Sequence, residues 1–417
     1  MSLSAQQKPS DWTTVQFMHQ PLLPAGLSDL LPPDAARRAG AVEEILARFA
    51  RYGYDRVEPP LVEFEDSLLP TGEERLNEQS FRLLDPVSRR LLAVRADLTT
   101  QVARIATSRL RSAPRPLRLA YAGDVLRVTA SELRPARQIF EIGAELLGSE
   151  ALAADLEIMG LTIETLKGLN LGFPLSLDLT FSQLVPELLA RLLPELPRLK
   201  LGEDRDYRAY FDRHGARAAQ YLPLLIALDS ATGPAEQGIA QLGEIQRSLA
   251  HTQPAAAEIL AAILGDISVL SARLAADFPE LTLTIDVIEN RGFDYDGTIG
   301  FSVFGRGIVG ELARGGRYRA TGMGNSEPAT GMTIFFDTIL GFLPSQASVP
   351  RILVSHQLGR DKIAAFQAQG LVTVSQLDSE SVDEAEARRQ NCEFYCPQGR
   401  ETVLSVKRAA TVQNREA

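Results

Sequence analysis

After Pro32-Pro33-Asp34 the apolar residues Val42, Ile45, Leu46 and Phe49 return at helical spacing, which predicts one amphipathic helix opened by the prolines and stopped at Gly53. Arg56 to Val62 reads as extended. Leu91 to Arg95 is a short apolar strand that feeds Asp97, a candidate N-cap for a helix carrying Leu98, Val102, Ile105 and Leu110. Two further extended runs, Leu117 to Val128 and Gln138 to Leu147, enclose a polar stretch with Pro135 and predict a long antiparallel hairpin. In the second run a period of two puts Ile139, Glu141, Gly143 and Glu145 on one face and Phe140, Ile142, Ala144 and Leu146 on the other. Glycine weakens a strand, so Gly143 predicts a close approach on the carboxylate face, and the two carboxylates suit a cationic amine. A solvated sheet face explains the same pattern.

Ala151 to Leu169 predicts a helix covering the sheet, through Leu152, Leu156, Met159, Ile163 and Leu166. From 185 to 280 the chain turns rich in Ala and Leu at helical period, which predicts an inserted helical subdomain. Leu281 to Val287 returns to strand, Gly292 to Gly316 predicts further antiparallel strands, and Gly331 to Leu343 a closing helix. Residues 350–417 alternate strands and helices as a small α/β module. Residues 1–20 are polar and aperiodic and are expected to be a mobile tail. The domain expectation is therefore a tail, a main domain over 21–343 and the C-terminal module.

With 417 residues, 45% hydrophobic and 23% charged, the chain falls outside disordered and low-complexity classes. Its formal charge of −10 disfavours a dedicated nucleic-acid binder. No uninterrupted apolar run reaches about 18 residues, and the first twenty residues do not read as a secretory leader, so a cytoplasmic protein is expected. Cys392 and Cys396 are expected to be free thiols. His19, His214, His251 and His356 are scattered, which predicts no metal site. Gly305, Gly307 and Gly310 spell G-x-G-x-x-G, but Gly315 and Gly316 follow at once and the flanks alternate like strands, so a dinucleotide site is not expected. No cofactor is expected.

Five segments remain: Arg95-Ala96-Asp97-Leu98-Thr99-Thr100, Arg127, Glu141-Ile142-Gly143-Ala144-Glu145, Arg291-Gly292-Phe293-Asp294-Tyr295-Asp296, and Gly315-Gly316-Arg317-Tyr318. In this order they resemble histidyl-tRNA synthetase, a class II aminoacyl-tRNA synthetase, over residues 24 to about 343. Gly53 to Glu63 is similar to the dimer-forming motif 1 and Arg115 to Gly148 to motif 2. The resemblance implies an α+β fold, a class II synthetase-like antiparallel sheet flanked by helices, with the helical insertion and the C-terminal α/β module added. It also implies a histidine pocket lined by Asp97, Thr99, Glu141, Glu145, Arg291, Tyr295 and Tyr318, with Arg127 as the former α-phosphate contact. The residue types agree: acidic groups suit ammonium and imidazole donors, and an arginine suits a carboxylate.

The departures from the synthetase pattern carry the functional expectation. Motif 2 reads Leu126-Arg127-Val128-Thr129 in place of F-R-x-E, and Phe335-Phe336-Asp337-Thr338 stands where motif 3 ends G-L-E-R, so the ATP-binding arginine is a threonine. Adenylation relies on such fixed cations. In the pocket Asp97 replaces glutamate, Phe140-Glu141 replaces His-Gln, and Asp296 replaces a tyrosine. The C-terminal module is shorter than an anticodon-binding domain. The combination is similar to the family of ATP phosphoribosyltransferase regulatory subunits, paralogues of the synthetase. That resemblance implies a non-catalytic subunit of the first step of histidine biosynthesis, self-dimeric through motif 1, hetero-octameric with the short catalytic subunit, and bound by histidine for feedback inhibition. A synthetase-like ligase that activates an amino acid for another acceptor, or a tRNA-binding regulatory protein, would share much of the pattern.

Overall fold

The computed structural model describes residues 23–68, 78–130, 135–195, 215, 220–288, 299–322, 325–345, 349–377, 382–397 and 403–406. The expected tail at 1–20 lies outside them. The chain divides into two units, Met1–Pro344 and Ser345–Ala417.

The first unit is built on a nine-stranded sheet. Its strands run in the order Asp55–Arg56, Leu117–Leu126, Gln138–Leu147, Asn325–Phe335, Ala313–Gly322, Gly300–Gly305, Leu175–Thr180, Thr282–Asp286 and Gly233–Pro234. The neighbours pair antiparallel except at two places, Asp55–Arg56 with Leu117–Leu126 and Leu175–Thr180 with Thr282–Asp286, so the sheet is mixed. The helix Asp34–Arg51 follows the predicted periodicity and buries Ala41, Val42, Ile45, Leu46 and Phe49. Each large apolar side chain removed from water in this way contributes about 1.5–3 kcal/mol. The same cluster takes Ile142, Ala144 and Leu146 from one sheet face and Ile158, Met159 and Ile163 from the helix Leu152–Gly168. On the opposite face Ile139 and Leu147 join Leu98, Val102 and Tyr121 beneath the helix Thr99–Thr107. The period-two reading of Gln138 to Leu147 is thus realised with a core on both sides, and the solvated-face explanation fails: Glu141 and Glu145 are both 1% exposed.

Among the described residues four helices, Leu184–Leu192, Leu222–Ser230, Ala235–Thr252 and Pro254–Asp277, lie between the strands Leu175–Thr180 and Thr282–Asp286. Their buried residues belong to the main cluster, so these helices extend the core of the sheet. Pro254–Asp277 is long and apolar enough to cross a membrane by length and composition. Here it seats Leu260, Ile263, Ile267, Leu270 and Leu274 in that cluster.

One predicted element is replaced. Gly331 to Leu343 is not a helix: the strand Asn325–Phe335 runs through Gly331, and only Phe336–Leu340 is helical. Met332 and Ile334 alternate into the main core while Ala329 enters the other cluster, a period of two that the small residues between them obscure in sequence. The G-x-G-x-x-G glycines sit where Gly300–Gly305 turns back into Ala313–Gly322, with Gly307 at φ 79° and Gly310 at φ 92°. Those left-handed conformations need glycine, and no helix follows to receive a pyrophosphate.

The second unit is a four-stranded sheet in the order Val372–Gln376, Arg351–Ser355, Phe394–Cys396, Leu404–Ser405, parallel until the last strand. Helices Arg360–Ala368 and Glu384–Arg389 connect it. Cys392 and Cys396 are buried free thiols in separate apolar clusters.

Candidate functional site

The carboxylate face of Gln138–Leu147 belongs to the third strand from one edge of the large sheet, between Leu117–Leu126 and Asn325–Phe335. Register sets the contents of the site. Tyr121 stands opposite Gly143, and Gly331 stands opposite Glu145. A Cβ on Gly143 would lie 2.2 Å from Tyr121 Cζ, so the ring crosses the strand where the glycine leaves room. A Cβ on Gly331 would lie 1.6 Å from Glu145 Oε2, so that glycine makes the seat of the Glu145 carboxyl. The close approach expected at Gly143 is therefore made by a residue of the protein itself. Tyr121, Gly331 and Thr333 were not among the predicted site residues, and the signal for Tyr121 was a polar-tipped aromatic amid Ala120, Ala122 and Gly123 on a paired strand.

The Tyr121 hydroxyl donates to Glu145 Oε1 at 3.1 Å and is 3.1 Å from Thr99 Oγ1 and 3.0 Å from Thr333 Oγ1. Burial pushes Glu145 up to about 8, against the stabilising hydroxyls of Tyr318, Tyr121 and Thr99, while the Asp97 charge raises it further. Burial also drives the Tyr121 hydroxyl well above its ordinary range, helped by the charges of Glu145 and Asp97.

Asp97 was expected as the N-cap, but the N-cap of Thr99–Thr107 is Leu98 and Asp97 stands one residue before it. Its Oδ1 accepts the N–H of Thr99 at 2.6 Å and of Thr100 at 3.4 Å, which satisfies donors at the start of the helix. It is raised by burial, with Arg127 and those two N–H groups pulling the other way.

Glu141 differs from Glu145 although the two share a strand face. Its Oε1 lies 3.0 Å from Arg127 Nη2, and Arg127 Nε donates to the Ala96 carbonyl at 3.3 Å. The guanidinium expected at an α-phosphate is thus engaged by a carboxylate inside the protein. Arg95 is a structural peg: Nε donates to Asp124 O at 2.7 Å and Nη1 to Pro59 O at 2.9 Å. At the motif 3 position, Asp337 Oδ2 accepts the Phe140 N–H at 2.8 Å, Phe336 is fully buried edge-on to Phe140, and Arg38 stacks on the Phe140 ring at 4.7 Å. Aromatic packing and a carboxylate occupy this stretch.

The structure therefore brings together Asp97, Thr99, Arg127, Glu141, Glu145 and Tyr318. Arg291, Tyr295 and Asp296 lie outside the described residues. A cavity of about 410 Å³, lined by Tyr52, Glu157, Gly160, Glu164 and Phe278 among others, contains none of the predicted site residues. Among the described residues no three His, Cys, Asp or Glu side chains are grouped to hold a metal ion.

The family described as Histidyl-tRNA synthetase matches residues 26–339. The chain is 44% identical over 375 residues to the ATP phosphoribosyltransferase regulatory subunit of Paramagnetospirillum magneticum, covering 89% of this chain and 94% of the relative. It is 41% identical over 384 residues to that of Rhodospirillum centenum, covering 91% and 95%. Among solved structures, an ATP phosphoribosyltransferase regulatory subunit/histidyl-tRNA synthetase from Bacillus halodurans has a TM-score of 0.72 at 23% identity, covering 94% of this chain and all of that one. A histidyl-tRNA synthetase from Nostoc has a TM-score of 0.65 at 14% identity, covering 89% and 90%. At these identities the two structures establish the class II synthetase-like fold.

Proposed function

The chain belongs to the family of ATP phosphoribosyltransferase regulatory subunits, and from that premise we propose that it activates a short catalytic subunit without catalysing a reaction and binds histidine as the feedback signal. The proposed effector site is the cluster of Asp97, Thr99, Arg127, Glu141, Glu145 and Tyr318, completed by Arg291 and Tyr295. One observation carries this reading: a buried acidic cluster is kept while the residues that would handle ATP are not available to it. Arg127 is paired with Glu141, and Phe335-Phe336-Asp337-Thr338 supplies no arginine. Acidic groups in a low-dielectric site attract an ammonium strongly, whereas a triphosphate needs free cations.

Feedback then has a thermodynamic form. Histidine must bind the inhibited arrangement of the complex more tightly than the active one, and a coupling of about 1–3 kcal/mol gives 5-fold to 150-fold control. The proposed assembly is a self-dimer through Gly53 to Glu63, joined to catalytic subunits as a hetero-octamer in the cytoplasm.

The test is phosphoribosyl-ATP formation by the cognate short catalytic subunit, alone and with this chain, each with and without histidine. Activity confined to the mixture and suppressed by histidine is the expected result. A chain that neither alters activity nor associates with the catalytic subunit refutes the proposal.

A further inference from the structure

The two acidic side chains on the strand Gln138–Leu147 are balanced in different ways. Glu141 has the Arg127 guanidinium at 3.0 Å. Glu145 is equally buried, yet the donors that the described residues bring to it are neutral hydroxyls: Tyr121 at 3.1 Å from Oε1, together with Tyr318 and Thr99. The titratable groups around Glu145 can be followed element by element. Tyr121 faces it from Leu117–Leu126, Tyr318 from Ala313–Gly322, and Asp97 from the start of the covering helix, and Tyr54 interacts with it from beside the sheet's edge strand. Asn325–Phe335 contributes Gly331 and Thr333, which carry no charge. On its own strand, Glu141 is the paired carboxylate already described. Among the described residues an ionised Glu145 would therefore be a desolvated charge facing a second carboxylate, a costly arrangement in the empty site.

The hydroxyl network accepts either protonation state. A phenol has one hydrogen to donate and two lone pairs, and Tyr121 has three polar neighbours, Thr99, Thr333 and Glu145, at 3.0–3.1 Å. With Glu145 ionised, Tyr121 donates to it and accepts from the threonines. With Glu145 neutral, the carboxyl hydrogen is given to Tyr121, whose own hydrogen turns to a threonine. No heavy atom has to move.

We propose that Glu145 holds a proton while the site is empty and releases it to solvent when the ammonium or another cationic group of an amino-acid ligand docks, so that effector binding and proton release are a single event. The proposal rests on the histidine-site reading above and adds its proton linkage. In the step the carboxyl O–H bond breaks, its electron pair stays on the carboxylate, and the proton passes to a buffer base. The ligand's positive charge then takes the place of the proton. Free histidine at neutral pH already carries its ammonium, so the released proton comes from the protein.

The experiment is calorimetric titration of the full chain with histidine at pH 7.0 in phosphate and in Tris, whose ionisation enthalpies differ. With Glu145 at about 8, the empty site is about nine-tenths protonated at pH 7, so release of about 0.9 proton per histidine is expected. Affinity should rise about fivefold from pH 7 to pH 8 for the same reason. Glu145→Gln, which cannot supply the charge that the ammonium meets, should bind histidine more weakly, and whatever binding remains should carry no buffer-dependent heat; if that variant does not fold, the wild-type buffer and pH series decides the matter. Binding with equal heat in both buffers, or with proton uptake, overturns this inference and leaves the histidine reading intact. Absence of histidine binding in every buffer overturns both.

Discussion

Replacing Arg127 by methionine would take away the guanidinium that faces the Glu141 carboxylate at 3.0 Å, a group 1% exposed that keeps the charge of Arg95 nearby. At an effective dielectric of about 20, unit charges roughly 4 Å apart attract by about 4 kcal/mol, and most of that attraction offsets the cost of desolvating both groups. The net worth of the pair is consequently small, but breaking it exposes the whole desolvation cost of one carboxylate. Removing one partner of a buried pair costs about 3–5 kcal/mol. Because the Arg127 side chain keeps 21% of its surface exposed, solvent can enter beside Glu141, and about 3 kcal/mol is expected here. The Arg127→Met, Glu141→Gln double variant should recover most of the loss, leaving about 1 kcal/mol, so the coupling energy is about 2 kcal/mol plus whatever Glu141→Gln costs alone. The measurement is urea unfolding of the wild type, both single variants and the double variant, followed by far-ultraviolet circular dichroism. If Arg127→Met costs under about 1 kcal/mol and the two changes add independently, Arg127 is not held by Glu141, and the argument that the arginine is unavailable to a phosphate collapses.

Three other outcomes follow from the same contacts. Gly143→Ala would put a Cβ 2.2 Å from Tyr121 Cζ and 2.6 Å from the Met332 carbonyl oxygen, and since the backbone atom cannot swing aside, a loss of about 3 kcal/mol or more is expected in thermal unfolding. Arg317→Met would abandon the fully buried Asp155, whose Oδ2 accepts from Arg317 Nη2 at 2.5 Å, at a cost of about 3 kcal/mol; a further Asp155→Asn change should restore much of it in the same assay. The ligand-free chain should lose stability as pH rises from about 5 to 8, because native Glu145 still holds a proton that the unfolded chain, titrating near 4.5, has already given up. Each pH unit in that window removes at most about 1.4 kcal/mol, and a denaturation series in which Glu145→Gln shows the same slope as the wild type would contradict this.

Much of this site was legible because strand alternation is a local signal. Glu141, Gly143 and Glu145 declared their shared face within five residues, and Asp97 declared its place at the helix start to within one residue. Long-range register was not legible. Tyr121 meets Gly143 only through hairpin pairing, and Gly331 meets Glu145 only through a strand whose small residues imitate a helix start. The different fates of Glu141 and Glu145 were equally hidden, since nothing in their spacing says which one Arg127 reaches from the far side of the hairpin. The turn between strands that holds the G-x-G-x-x-G run was legible, because the alternating flanks and the glycines that follow are written in the neighbouring residues.

The strand that seats Glu145 arrives late. Gly331 follows its partner by 186 positions in the chain, with the helices of residues 184–277 between them. At about 5–20 residues per second, a ribosome needs roughly 10 to 40 s to make that stretch. Throughout that interval the carboxylate face of Gln138–Leu147 has a neighbour on one side only, and Glu145 can be hydrated and titrate as an ordinary glutamate. The perturbed carboxyl is therefore a property of the finished molecule.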